Sequence, residues 1–388
     1  MTARLAEVLD VLERAYPAAL AEPWDTGIGL TCGDPDQQVS RVLLAVDVDP
    51  VTVAEAIEIS AETLITHHPL LFRPVQSVAA TTAKGALLHP LMRAGIAHFA
   101  AHTNADRAVG GVNDALADAI GLLDTRPLVP IPPAGWDKLV VFVPVTDVDR
   151  VISALAEAGA GTIGNYAEAA FVAAGEGRFR PLDGASPAIG QVGRLERVPE
   201  ARVEMVLPPD RRREAVTALR RAHPYEEPAF DIVPTVPVTG SAGGAPSATA
   251  GLGRVGDLAV PMRLRELARH IGAVLPATAA GVRAAGDPDR VVTRLAVCGG
   301  AGGSELGAAS ESGADAYLTS DLSHHVVAEH VADPSRPAVL EVAHWASEWP
   351  WLHRAAELIT DGTDGSVAVT VSTRRTDPWT VHQPSRAR

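Results

Sequence analysis

Cysteine is almost missing from this 388-residue chain, which has only Cys32 and Cys298. Two isolated thiols cannot frame a disulfide-stapled domain, and their spacing is not that of a thiolate zinc site. Aromatic residues are scarce as well, at 4 %, so Ala, Val and Leu must fill the core. That favours packed α/β layers over an aromatic-rich β-sandwich. No run of lysine and arginine forms a stripe that could follow a phosphate backbone. The one basic cluster, Arg211-Arg212-Arg213 with Arg220-Arg221, falls on an expected helix and reads as a solvated face. The formal charge is 33 − 47 = −14, a solubilising surface, and nucleic acid is not an expected partner. Uncharged apolar runs are missing too. Met1–Leu30 carries Glu7, Asp10, Glu13, Glu22 and Asp25, unlike a signal peptide, and no run reaches the ~18 residues needed to cross a bilayer. No membrane partner is expected, and a reducing cytoplasm is the expected location.

What is present is a repeated alternation of strand-like and helix-like segments. Leu5, Val8, Leu9 and Leu12 recur at helical spacing. Arg41–Val48 reads as a buried strand, followed by a helix over Val53–Ser60. Thr63–Thr66 is a short strand ending at His67-His68-Pro69. A helix over Lys84–Ala94 leads to a strand over Ile96–Ala101, then a turn with His102 and Asp106, then a helix over Val112–Ile120. This order predicts βαβ units and a largely parallel sheet, with ligands gathered at the carboxyl ends of the strands.

Pro127–Pro133 reads as a boundary. The segment beyond it runs strand, helix, two or three strands, helix, strand, which is the ferredoxin-like order. Thr239–Ala250 is a Gly/Ala/Ser/Pro-rich linker. The first pattern then returns: strands over Arg294–Cys298, Ala316–Ser320 and Ala338–Val342, the last ending at His344. The expected organisation is a split α/β metal-binding domain, residues 1–130 and 251–380. A ferredoxin-like α+β domain is inserted at 136–237, with a flexible linker at 238–250.

The chemistry-bearing residues sit at the predicted strand ends. Adjacent histidines at a strand end, His67 and His68, can reach two cations on either side, and imidazole suits zinc, iron and similar ions. As a pair alone they could equally be surface or packing residues. Asp106 can bridge two cations with its two oxygens, or simply cap a turn. His344 and Glu348 share one helix face at i and i+4, as ligands or as an exposed pair. Trp345, Trp349 and Trp351 are three of the six tryptophans and form an apolar wall beside that pair, as a core or an oligomer contact also would. Asp321, His325, His102 and His324 are candidates to orient ligands. The glycine turn Cys298–Ser304 could hold an anion or be a tight strand–helix turn. It lacks the Lys-Ser/Thr of a phosphate loop. Ser304, Ser320 and Ser323 have no nucleophile-elbow context.

These motifs together resemble a known family, the dinuclear metal centre hexameric proteins, also called GTP cyclohydrolase 1 type 2 homologues. The matching stretches are WDTGIGLTCGDP (24–35), ITHHPLLF (65–72), AAHTNADRAVGGVNDALA (100–117), GDPDRVVTRLAVCGGAGGS (286–304), LTSDLSHH (318–325) and HWASE (344–348). The segments KLVVFVP (138–144) and AHPYEEPAFDI (222–232) resemble the insert of the longer bacterial members. The resemblance implies that His67, His68, Asp106, His344 and Glu348 bind two divalent metal ions, with zinc, iron and manganese all open. It implies a homohexamer and a small-molecule substrate such as a nucleotide. The sequence departs from the family pattern at Ser323, His324 and Trp345, which bears on the shape and charge of the substrate pocket. The expected activity is that of a metal-dependent hydrolase, in which a metal-bound hydroxide opens a purine ring and Glu348 or His325 carries protons. Arg73, Lys84 and Arg107 are the cations near the motifs. The rival expectation is a metal-binding regulatory or structural hexamer without turnover.

Overall fold

Helical spacing of leucine and valine along the first turns gives the opening helix, Leu5–Ala15, one apolar face. Leu5, Val8, Leu9 and Leu12 are all buried against Trp351, Leu352, Ala355 and Ile359 of a second helix, Trp351–Gly362. Each large apolar side chain buried this way contributes about 1.5–3 kcal/mol. The computed structural model describes residues 2–131, 135–235 and 250–383. The expected linker at 238–250 falls almost wholly outside them. The chain separates into two compact units, residues 1–131 with 249–388, and residues 132–248.

The first unit holds two larger sheets. Four strands of one run parallel: Ala368–Val371, Arg41–Ala45, Thr63–Thr66 and Ala97–Ala100, in that spatial order, with Gly29–Cys32 antiparallel at the far edge. Every residue of Thr63–Thr66 is buried, as expected of a central parallel strand. In the other sheet Val291–Val297, Ala316–Thr319 and Ala338–Glu341 run parallel. Antiparallel strands flank them, Arg283–Ala285 on one side and Gly251–Arg263 with Leu122–Pro130 on the other. The predicted parallel core is therefore present twice, each time with antiparallel edges.

Five strands of these two sheets are absent from the sequence reading: Gly29–Cys32, Leu122–Pro130, Gly251–Arg263, Arg283–Ala285 and Ala368–Val371. Leu122–Pro130 is a nine-residue strand that the prolines hid; it lies at a sheet edge, where Pro127 and Pro130 need not donate to a ladder on both sides. Gly251–Arg263 is a 13-residue strand that bulges between Asp257 and Met262. The two halves of this unit also exchange strands. Leu122–Pro130, from the first half, completes the sheet of the second, and Ala368–Val371, from the second half, completes the sheet of the first.

The second unit has the order strand, helix, strand, strand, helix, strand. Its strands are Asp137–Pro144, Ala170–Phe179, Glu196–Leu207 and Phe230–Pro234, and its helices Val148–Glu157 and Arg212–Ala222. The sheet is antiparallel and runs fourth, first, third, second. Its own core joins Leu139, Val141, Val151, Leu155, Val203 and Leu219.

Candidate metal centre

The strand Thr63–Thr66 does not stop pairing at its last residue. The amides of His67 and His68 donate to the carbonyls of Ala45 and Val46, at 3.2 and 2.9 Å. Pro69 keeps His68 extended, and Thr66 Oγ1 donates to the His68 carbonyl at 2.7 Å. The two rings therefore leave the strand end at fixed angles, with centroids 5.0 Å apart. Asp106 comes from the short helix Thr103–Arg107 after the strand Ala97–Ala100. His344 and Glu348 are the first and last residues of another short helix, after the strand Ala338–Glu341.

These positions converge. Glu348 is 2 % exposed and lies among three imidazoles. Its Oε1 is 2.9 Å from His344 Nε2 and 3.4 Å from His67 Nε2, and its Oε2 is 3.2 Å from His68 Nε2. Asp106 Oδ1 lies 3.7 Å from His67 Nε2. Glu348 is thus the carboxylate that meets three imidazoles, and Asp106, offered by the sequence as a bridge, lies beside it against His67. His102 joins as well, its ring 5.2 Å from His67 and 5.6 Å from His68. Two groups have ligand atoms all within 4.8 Å of one another: His67, His68 and His102, and His68, His344 and Glu348.

The other ring nitrogen of each histidine faces an acceptor. His67 Nδ1 donates to the Ala101 carbonyl at 2.9 Å, and His68 Nδ1 to Asp47 at 2.6 Å. His102 Nδ1 donates to Asp25 at 2.9 Å, and His344 Nδ1 to Asp321 at 2.6 Å. With the proton fixed on Nδ1, the Nε2 lone pairs of the neutral rings point inward at carboxylate oxygens. Lone pair against lone pair is unfavourable unless a proton or a cation stands between them. His67 Nε2, Asp106 Oδ1 and Glu348 Oε2 are buried without a hydrogen-bond partner among the described residues. This donor set of imidazole nitrogens and carboxylate oxygens fits divalent transition ions.

The titration behaviour has the same cause. Burial pulls the His68 pKa down, but the Glu348 charge and the bond to Asp47 overcome it and raise it to about 10. His344 is likewise opposed by burial and carried by Glu348 and Asp321 to about 11. Burial and the charge of Glu348 push Asp106 up to about 7. Glu348 itself, despite burial, is held well below its usual value by His68, His344 and His67. Without a cation, protons hold this cluster together.

Three supporting residues escaped the sequence reading as such. Asp25 accepts from His102 and from the amide and hydroxyl of Thr103. Asp47 accepts from His68 and Thr376. Asn113 is fully buried; it donates to the Asp106 carbonyl at 2.9 Å and accepts from the Gly299 amide at 2.8 Å. Asp47 could have been found as a carboxylate at the end of an expected strand; Asp25 and Asn113 gave no such signal. Of the other candidates, Asp321 reaches the cluster through His344. His324 and His325 open the helix His324–Val331, exposed and edge-on to each other, and among the described residues neither has a hydrogen bond or ion pair to the cluster.

The glycine turn has a steric role. Gly300 has φ +67°, and a Cβ there would lie 2.6 Å from Glu348 Oε1 and 3.1 Å from His344 Nε2. Only glycine lets the turn pass so close to the cluster. A cleft of about 1240 Å³ opens beside His68 and His344, walled by Asp47, Asp321, Trp345 and Trp379. A second, of about 340 Å³, reaches Asp106 and Glu348 past Trp24, Arg107 and Gly300. Arg107 is tied to Glu22 at 3.1 Å. Arg73 and Lys84 line neither cleft.

A sequence model of the Duf34/NIF3 (NGG1p interacting factor 3) family matches residues 3–378. A protein of Mycobacterium tuberculosis named GTP cyclohydrolase 1 type 2 homolog is 50 % identical over 388 residues, covering 100 % of this chain and 99 % of its own. A Bacillus subtilis protein of the same name is 39 % identical, covering 88 % of each. The crystal structure of a Bacillus cereus protein related to NIF3 superposes with a TM-score of 0.71 at 36 % identity, covering 97 % of this chain and 99 % of that one.

Proposed function

Because the chain belongs to the Duf34/NIF3 family, we propose that its cluster holds two divalent metal ions and that the protein is a metal-dependent hydrolase. The observation that carries this reading is the set of inward Nε2 and carboxylate atoms, three of them buried and unpartnered. His67, His68, Asp106, His344 and Glu348 would be the ligands, and His102 is a sixth candidate by position. When bound, such ions act as Lewis acids that make water more acidic and stabilise negative charge on oxygen. Ala101, Asp25, Asp47 and Asp321 keep the protons on Nδ1 and so keep Nε2 free. Buried Trp351 packs edge-on against His67, with ring centroids 5.5 Å apart, and backs the inner side of the cluster. Between the two proposed proton carriers, position favours Glu348, at the centre of the cluster, over the exposed His325.

For the substrate, two clefts that reach the cluster suit a small molecule. The relatives' name supports a purine nucleotide opened at its ring. We also read residues 1–130 and 251–380 as one split domain, 136–237 as a ferredoxin-like insert, and the assembly as a homohexamer. A second reading keeps the metals and drops turnover. The separate core of the second unit supports it, since a folded module with no part in the cluster fits a regulatory role.

The test is metal content per chain by elemental analysis, with GTP and phosphoester turnover on the loaded protein, for wild type, Asp106→Ala and Glu348→Gln. Two ions per chain, reduced in both variants, are expected together with metal-dependent product. At most one ion, unchanged in the variants, overturns the dinuclear site. Full metal without turnover selects the regulatory reading.

A further inference from the structure

The second unit has a cavity of its own, about 310 Å³, with no part in the metal cluster. That volume lies at the lower end for small-molecule sites. Phe142, Phe179, Ile189 and Tyr225 give it apolar walls, and Glu200 projects into it from the strand Glu196–Leu207.

Glu200 is 8 % exposed. A buried carboxylate is costly unless a cation or several donors meet it. Here one neutral donor does so: Tyr225 Oη, 2.7 Å from Oε1. Burial, then the bond to Glu200 and its charge, push the Tyr225 pKa up, so the phenol stays a donor. The nearest histidine offers no charge. His223 Nδ1 accepts from the Tyr225 amide at 3.0 Å while Nε2 donates to the Phe142 carbonyl at 2.9 Å, which fixes a neutral ring. Among the described residues no Lys, Arg or His nitrogen forms an ion pair with Glu200, and Oε2 accepts no hydrogen bond. Arg178 and Arg180 are exposed where they line the cavity, and Arg180 is turned to the Gly193 carbonyl.

The neighbouring strand makes room for this carboxylate. A Cβ at Gly177 would lie 2.0 Å from Glu200 Oε2. Phe179 packs edge-on to Tyr225 with ring centroids 5.5 Å apart, forming an aromatic wall beside the acid. A carboxylate with a single neutral donor, beside aromatic rings in a cavity of small-ligand size, is the complement of an aromatic ring that carries an ammonium group.

We propose that this cavity is a second ligand site and that it binds small aromatic ammonium compounds, with Glu200 receiving the ammonium and the Phe179–Tyr225 wall receiving the ring. The probe is tryptamine, titrated calorimetrically into the full-length protein. Indole-3-propionate, which has the same ring and a negative end, is the control. One tryptamine per chain is expected, with roughly tenfold or greater weakening for indole-3-propionate and for Glu200→Gln. Ile189→Trp, which fills the cavity from its loop wall, should abolish binding with Tyr225 and Glu200 intact. It also serves as the second test should Glu200→Gln fail to fold. Metal content should stay at the wild-type value in both folded variants. The proposal is overturned by no heat of binding up to millimolar tryptamine, by equal or tighter binding of the anion, or by undiminished binding in either folded variant.

Discussion

At the residue scale, the cluster depends on side chains that never reach its centre. Asp321 holds His344 Nδ1 at 2.6 Å from a left-handed backbone, φ +57°. Aspartate tolerates that conformation better than most residues. Asp321→Asn removes the fixed acceptor charge and allows the ring to flip, so metal affinity should fall about 10–100-fold with the fold intact, as read by competition with a chelating dye. The same residues set a pH dependence. His68 and His344 have pKa values raised from 6.5 to about 10 and about 11. In the metal-free protein their contribution to stability is therefore complete below about pH 6.5 and is lost as pH rises through those raised values. Ligation needs neutral imidazole, so loading should release on the order of two protons per chain. Metal affinity should accordingly climb across the range where the metal-free fold weakens. Calorimetry in two buffers of different ionisation enthalpy at pH 7.5 measures the release; none would contradict the assignment of His68 and His344.

At the element scale, helix Val112–Ile120 joins the two halves of the first unit. Val112 and Ala115 belong to the core built on Leu5 and Trp351; Leu116, Ala117 and Ile120 belong to the core built on Leu267 and Leu295. The same helix carries Asn113, which ties Asp106 to the glycine turn, and Asp114, which pairs with Arg254. Arg254 is 2 % exposed and spends all three guanidinium nitrogens: on Asp114, at 2.5 and 2.8 Å, and on the carbonyls of Ala108, Gly251 and Gly253. Arg254→Met leaves the buried side of Asp114 without its cation and takes the guanidinium donors from the carbonyls of Ala108, Gly251 and Gly253. It should cost about 3–5 kcal/mol in urea unfolding. Helix periods and the short buried strands were legible because a single apolar face or run specifies each of them. The strand Leu122–Pro130 was not, because its edge position, which excuses two prolines, exists only once the sheet has formed.

At the scale of the whole molecule, the crossing of strands between halves means that neither half of the first unit closes its own sheet. The chain leaves this unit and returns to it at neighbouring points: Pro130 pairs with Gly251, and the Ile131 amide donates to the Ala250 carbonyl at 3.0 Å. A short Gly-rich turn can span that gap. Replacing residues 132–248 by such a turn should leave a folded protein with wild-type metal content, checked by circular dichroism and elemental analysis. Failure to fold or to hold metal would tie the second unit to the cluster. Among the described residues no helix is long and apolar enough to cross a membrane.

The sequence by itself determined the periods of the helices, the buried strands and the tandem imidazoles at a strand end, because each follows from neighbours a few residues apart. The structure alone decided what those groups face. Glu348 became the centre of the cluster, and Asp25, Asp47 and Asp321 became the acceptors that turn each ring inward. These partners are 77 residues apart for Asp25 and His102, and 21 to 23 for the other two pairs. Each pair comes from the ends of neighbouring strands of one sheet, whereas the meeting of Glu348 with His67 and His68 joins the two sheets, and no local pattern encodes either distance.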